Sequence, residues 1–146
     1  MTFAAAQPSE SPRGTAPVIR ISPILAAAID LLLIAVFVLI GRGSHAEAGT
    51  ASGFLATLWP FAAGALLGWL LGRVWRHPVQ IRFTGLLIVG CTVVLGMLLR
   101  GLSGQLVAPA FIAVTTVVLS IFLLGWRAIA RSILRRRVSR PRSSRA

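Results

Sequence analysis

Lysine and tyrosine are absent from this chain of 146 residues, cysteine occurs once, and only Glu10, Asp30 and Glu47 are acidic. The single Cys91, set in the middle of an apolar run, excludes an internal disulfide and reads as a packing residue. His45 and His77 have no cysteine or carboxylate beside them at metal-ligand spacing, so neither a metal site nor any other cofactor is expected. Serine, histidine and acidic groups never gather as a nucleophile with its base, which argues against an enzyme. Charge of any sign is scarce too. Charged residues make up 12% of the chain, about half the share usual in soluble domains.

What is present is apolar. Hydrophobic residues reach 56% and the mean hydropathy is +0.85, more than a soluble globule of this size can bury, so lipid is the expected solvent. Charge and turn residues mark off four runs, over about 23–41, 54–72, 83–99 and 106–126. At about 1.5 Å per residue each run covers roughly 25 to 31 Å, the thickness of a hydrocarbon core. The runs are continuous rather than alternating, which excludes a membrane barrel. An all-α membrane protein is predicted, with four transmembrane helices in an up-down bundle.

Arginine sets the orientation. Arg13 and Arg20 precede the first run, Arg73, Arg76 and Arg82 lie in the middle loop, and eight arginines run from Arg127 to Arg145, whereas the first and third loops carry only Arg42 and Arg100. Both termini and the middle loop are therefore expected in the cytoplasm of a prokaryotic cell, with Trp69, Trp75 and Trp126 near the inner interface. Residues 1–22 read as a disordered cytoplasmic leader, 23–127 as the transmembrane domain and 128–146 as a basic cytoplasmic tail. Ala46-Glu47-Ala48 has the form of a signal-cleavage site, but the run before it is too long and contains Asp30, and its leader contains Glu10. In the tail, Arg127, Arg131 and Arg135 are spaced by four and are joined by Arg136 and Arg137. The fourth helix should continue past the bilayer and lay these arginines on anionic lipid. Nucleic acid is not an expected partner, because the leaflet is nearer.

Packing signals are sharper than chemical ones. Gly64, Gly68 and Gly72 form one small-residue stripe on the second helix, suited to close approach by a neighbouring helix or by a second copy in a homodimer. Pro60 lacks the N–H of a helical turn, which frees a carbonyl to accept from a neighbour. Leu39-Ile40-Gly41-Arg42-Gly43-Ser44 resembles Leu98-Leu99-Arg100-Gly101-Leu102-Ser103, 58 residues on by the arginines, and Leu67-Gly68-Trp69 recurs as Leu124-Gly125-Trp126, 57 residues on. These offsets suggest two hairpins of the same orientation.

Asp30 is the candidate protonatable group inside a span. Near the bilayer centre a carboxylate costs about 2.5 to 3.5 kcal/mol, and the other residues of the first run return roughly 4 to 7 kcal/mol, so insertion survives without a partner. Asp30 lies roughly 10 Å in from the cytoplasmic edge, level with Trp69, Ile88 and Ser120. Three readings stay open: a buried carboxylate bonded to Ser120 or reached from below by Arg127; a site in a cavity that exchanges a proton for a cationic substrate; and a partly hydrated group with no special role. On the other face Arg42, His45 and Arg100 form a possible anion contact, unless each arginine merely ends its helix at the headgroups.

Asp30, Gly41-Arg42-Gly43-Ser44-His45, Trp59-Pro60-Phe61, Thr84-Gly85, Gly96-Met97-Leu98-Leu99-Arg100, Ser103-Gly104 and Gly125-Trp126-Arg127 together resemble an uncharacterised prokaryotic membrane family, domain of unknown function 3054, over about 25–127. The resemblance implies a four-helix integral membrane protein and carries no activity. An acidic residue in the first of four short helices also resembles small multidrug-resistance transporters, but no aromatic lies within a turn of Asp30 and the arginine bias opposes dual orientation. A structural or interacting membrane component without enzymatic activity is expected, with a small proton-coupled transporter or channel using Asp30 as the alternative.

Overall fold

The structure, a computed structural model, describes residues 21–43 and 50–138. Most of the expected leader, the Ala46-Glu47-Ala48 motif, His45 and the last three arginines of the tail lie outside the described residues. Four helices follow in order: α1 (Pro23–Gly43), α2 (Ala51–Leu71), α3 (Leu86–Leu102) and α4 (Pro109–Val138). Contacts between α1 and α2, α2 and α3, α3 and α4, and α4 and α1 close them into a square. One end of the square, here the base, carries the start of α1, the middle loop and the last turns of α4. The other, the crown, carries the end of α1, the start of α2 and the third loop.

Local chemistry explains where the helices begin and end. Pro23 and Pro109 open α1 and α4 in the first turn, where backbone N–H groups have no partner within the helix. The expected fourth span starts later than residue 106, because Pro109 steers the residues before it out of helical geometry. In the middle loop the chain leaves α2 at Gly72, whose N–H reaches the Gly68 carbonyl at 3.0 Å, and turns through Arg73 in the left-handed region with φ 44°. A short 3-10 turn follows at Val74–Arg76, and a π-helical turn at Ile81–Gly85 leads into α3. The third span therefore runs over Ile81–Leu102, wider than 83–99. Beyond Trp126 α4 continues unbroken, as expected, so residue 127 marks no boundary in the backbone.

All four helices are long and apolar enough to cross a membrane. The molecule is apolar on the outside as well as the inside: Leu32, Leu55, Leu66, Leu98, Val117 and Ile121 are all exposed. At most 39% of any span is buried within the bundle, so the remainder needs an apolar solvent. Among the described residues the chain is all-helical, with four helices suited to span a membrane.

The core is built around glycines rather than by large side chains alone. A Cβ on Gly64 would stand 2.7 Å from the Cys91 carbonyl and 2.8 Å from Thr92 Cα, and one on Gly68 2.8 Å from Ile88 Cα. The backbone of α3 thus lies directly in the glycine stripe of α2, which Gly72 extends against Leu87. In return α3 offers Gly96, where a Cβ would meet the Phe61 ring at 2.6 Å. Phe37 meets the same ring edge to face at 5.6 Å. Toward the crown, Pro60 withholds an N–H from the Ala56 carbonyl, and Gln105 Nε2 from the third loop donates to that oxygen at 3.0 Å. The freed carbonyl has found the neighbour that the sequence anticipates.

Candidate functional site

Asp30 lies on the buried stripe of α1 with Ala26, Ile34, Phe37 and Val38, so the spacing of the apolar residues that makes α1 a helix also turns the carboxylate inward. It is 2% exposed and receives four hydrogen bonds. Arg127 Nη1 donates to Oδ1 at 2.7 Å and Nη2 to Oδ2 at 2.6 Å, a parallel fork of charge-assisted bonds. Trp126 Nε1 donates to Oδ1 at 2.8 Å and Trp69 Nε1 to Oδ2 at 2.9 Å. Each oxygen accepts one guanidinium and one indole N–H.

Arg127 is just as fully engaged and is 0% exposed. Nη1 also reaches the Leu123 carbonyl one turn back at 2.8 Å, Nε donates to Pro78 O in the middle loop at 3.2 Å, and the guanidinium carbon stands 4.7 Å over the Trp126 ring. Its stem passes Gly85, where a Cβ would lie 3.7 Å from Arg127 Cδ and 2.8 Å from Leu124 Cδ2. The cluster joins α1, α2, α4 and the middle loop, and the π-helical turn before α3 makes room for it at Gly85. Its charges cancel in place, and its donors fill the lone pairs that would otherwise be stranded away from water.

This arrangement corrects one expectation about the tail. Arg127, expected on lipid with Arg131, Arg135, Arg136 and Arg137, folds back into the bundle instead, because a carboxylate already buried one helix away offers a stronger partner than the headgroups. The remaining four lie on the overhang of α4, with Arg135 and Arg136 exposed and Arg131 half-buried. Of the two partners anticipated for Asp30, Arg127 is the one observed. Trp69 and Trp126 do more than mark an interface, since both indole N–H groups serve the carboxylate. Trp69 is level with Asp30 in the sequence, and the recurring Leu-Gly-Trp is the signal that pairs it with Trp126.

The crown gathers the second set of candidates. Arg42 and Arg100 line one cavity of about 420 Å³ together with Phe37, Val38, Gly41, Thr57, Leu106, Ala108 and Phe111. Arg42 Nη1 donates to Thr57 Oγ1 at 3.4 Å. Arg100 stacks on Phe111, its guanidinium carbon 4.7 Å from the ring centre, and lies 6.0 Å from that of Phe61. The glycines Gly64, Gly68 and Gly72 belong to neither site, since they hold α3.

No curated protein and no solved structure matches the chain. The family model described as protein of unknown function (DUF3054) matches residues 27–130. That stretch contains Asp30, Trp69, Trp126 and Arg127 at the base and Arg42 and Arg100 at the crown, and the chain belongs to this family.

Proposed function

We propose that the protein is a structural or interacting component of the prokaryotic cytoplasmic membrane and is not an enzyme. The observation that carries this reading is the saturation of Asp30: four donors occupy its two oxygens, and the guanidinium that neutralises it is buried beneath them. A carrier of protons needs a carboxylate that can release its partner and meet water. Here release would strand a guanidinium and two indole N–H groups in a dry site. The crown cavity lies on the far side of the core from Asp30, and Asp30 is not among its lining residues. This supports a carboxylate that fastens the first helix to the last rather than one that turns over.

The arginine bias favours an orientation with the base in the cytoplasm, where the overhang of α4 meets anionic lipid. The test is proton flux in liposomes loaded with a pH-sensitive dye, under an imposed pH gradient. The expected result is a leak no faster than in protein-free liposomes, unchanged by candidate cationic substrates. A flux that requires the protein and disappears in Asp30→Asn would replace this reading with the proton-coupled transporter.

A further inference from the structure

The two hairpins treat equivalent residues differently. In the first, Arg42 passes over Gly53, where a Cβ would lie 2.6 Å from its Nη2, and reaches Thr57. The residues 58 positions later are Arg100, Phe111 and Thr115. Phe111 holds the sequence position that matches Gly53, and its ring lies under the Arg100 guanidinium. Arg100 Nε, Arg100 Nη1 and Thr115 Oγ1 are all buried without a hydrogen-bond partner. Among the described residues these are the polar side-chain atoms left so, and two of them belong to one cation. Native interiors rarely leave a charged donor unmet, and a rotation of the Arg100 side chain off the Phe111 ring would turn these sealed donors toward a bound species.

The cavity says what kind. Arg100 and Arg42 stand on its wall and the rest is mostly apolar, with Phe37, Val38, Leu106 and Phe111. Its volume, about 420 Å³, is that of a small-molecule site. A free inorganic anion would satisfy the guanidinium but leave the apolar wall wet. A neutral chain would fill the wall and leave the guanidinium unmet. We propose that the crown cavity binds an anionic amphiphile, an apolar chain ending in a carboxylate or phosphate, with its head on Arg100 and its chain against Phe37 and Phe111. Arginine suits both heads because its planar donors match their oxygens.

Native mass spectrometry of the full-length protein released from a neutral nonionic detergent tests this with four probes: laurate, dodecyl phosphate, dodecanol and inorganic phosphate. Laurate, dodecyl phosphate or both should appear as one-to-one adducts, with dodecanol at least about tenfold less occupied at equal concentration, and inorganic phosphate should not displace them. The comparison of laurate with dodecyl phosphate identifies the head. Arg100→Gln should lower anion occupancy about tenfold while leaving the weak dodecanol binding in place. Gly41→Leu is the second variant, because Gly41 lines the cavity and a Cβ added there meets nothing within 4 Å. It should abolish all adducts at an unchanged unfolding temperature. Equal binding of dodecanol and laurate, displacement by inorganic phosphate, or anion binding that persists in Gly41→Leu would overturn the proposal.

Discussion

Arg127 grips Asp30 across 97 residues of chain through two parallel bonds of 2.7 and 2.6 Å. Each charge is the other's main reason for tolerating burial, so the pair is worth most when one member is lost. Breaking a buried pair by removing one partner costs about 3 to 5 kcal/mol. Arg127→Gln and Asp30→Asn should each destabilise the protein by an amount of that order. The double variant should be less damaged than the sum, because two amides can bond each other and the Asn oxygen still accepts from Trp126. Unfolding by added denaturing detergent, followed through tryptophan fluorescence, measures the coupling. Strict additivity of the two losses would mean that the fork carries no stabilising interaction.

The glycine stripe of α2 should behave as an intramolecular seam. Gly68→Ile places a branched side chain where Ile88 Cα allows no Cβ, and overpacking of this kind costs about 1 to 3 kcal/mol or more. The expected outcome is a lower unfolding temperature with no change in the oligomeric mass measured by light scattering in mild detergent. A wild-type dimer that Gly68→Ile converts to a stable monomer would assign the stripe to self-association instead.

Gln105 and Pro60 are coupled through a carbonyl that neither residue owns. Removing the side chain in Gln105→Ala leaves the Ala56 oxygen without its donor, a loss of about 1 kcal/mol. Pro60→Ala restores the helical N–H to that oxygen. In the Pro60→Ala background, Gln105→Ala should therefore cost measurably less. An equal cost in both backgrounds, read from thermal unfolding, would show that the bond is incidental.

Charge on the overhang should be lipid-dependent and salt-dependent. With the protein in liposomes, trypsin should cut after Arg131, Arg135, Arg136 and Arg137 more slowly when the accessible leaflet is rich in anionic lipid than when it is neutral. Each arginine near such a surface contributes about 1 kcal/mol. High salt should erase the difference. Identical digestion in both membranes at low salt would dismiss the lipid contact.

The span pattern and the polar exceptions were legible to different depths. Continuous apolar runs placed the four helices, with ends within a few residues except that of α4, which runs on to Val138 where the apolar run stops at about 126; other displaced ends trace to particular atoms: Pro109 delays α4, and the π-helical turn before Leu86 carries the third span back to Ile81. The fourth-residue spacing of Gly64, Gly68 and Gly72 showed a seam but not its occupant, since α3 and a second copy of α2 present similar backbones. The missing N–H of Pro60 forecast an accepting carbonyl, because that consequence is covalent. Arg127 was harder to assign. An arginine at the end of an apolar run reads equally as a helix terminator and as a partner reaching back, and the difference lies in the long stem and in Gly85 on another helix. The indole donors were hidden for a related reason: in sequence Asp30 has no aromatic neighbour, and Trp69 and Trp126 approach only when the square closes.

That closure carries a consequence for biosynthesis. Asp30 enters the bilayer 97 residues ahead of its counter-ion, an interval of roughly 5 to 20 s at translation rates of about 5 to 20 residues per second. During that time α1 must wait in the membrane with an uncompensated carboxylate, held there by its apolar residues alone. The pair therefore forms only after α4 has left the ribosome. It is a latch that closes only once all four helices are present, and a chain truncated before Arg127 would carry in Asp30 an open mark of its incompleteness.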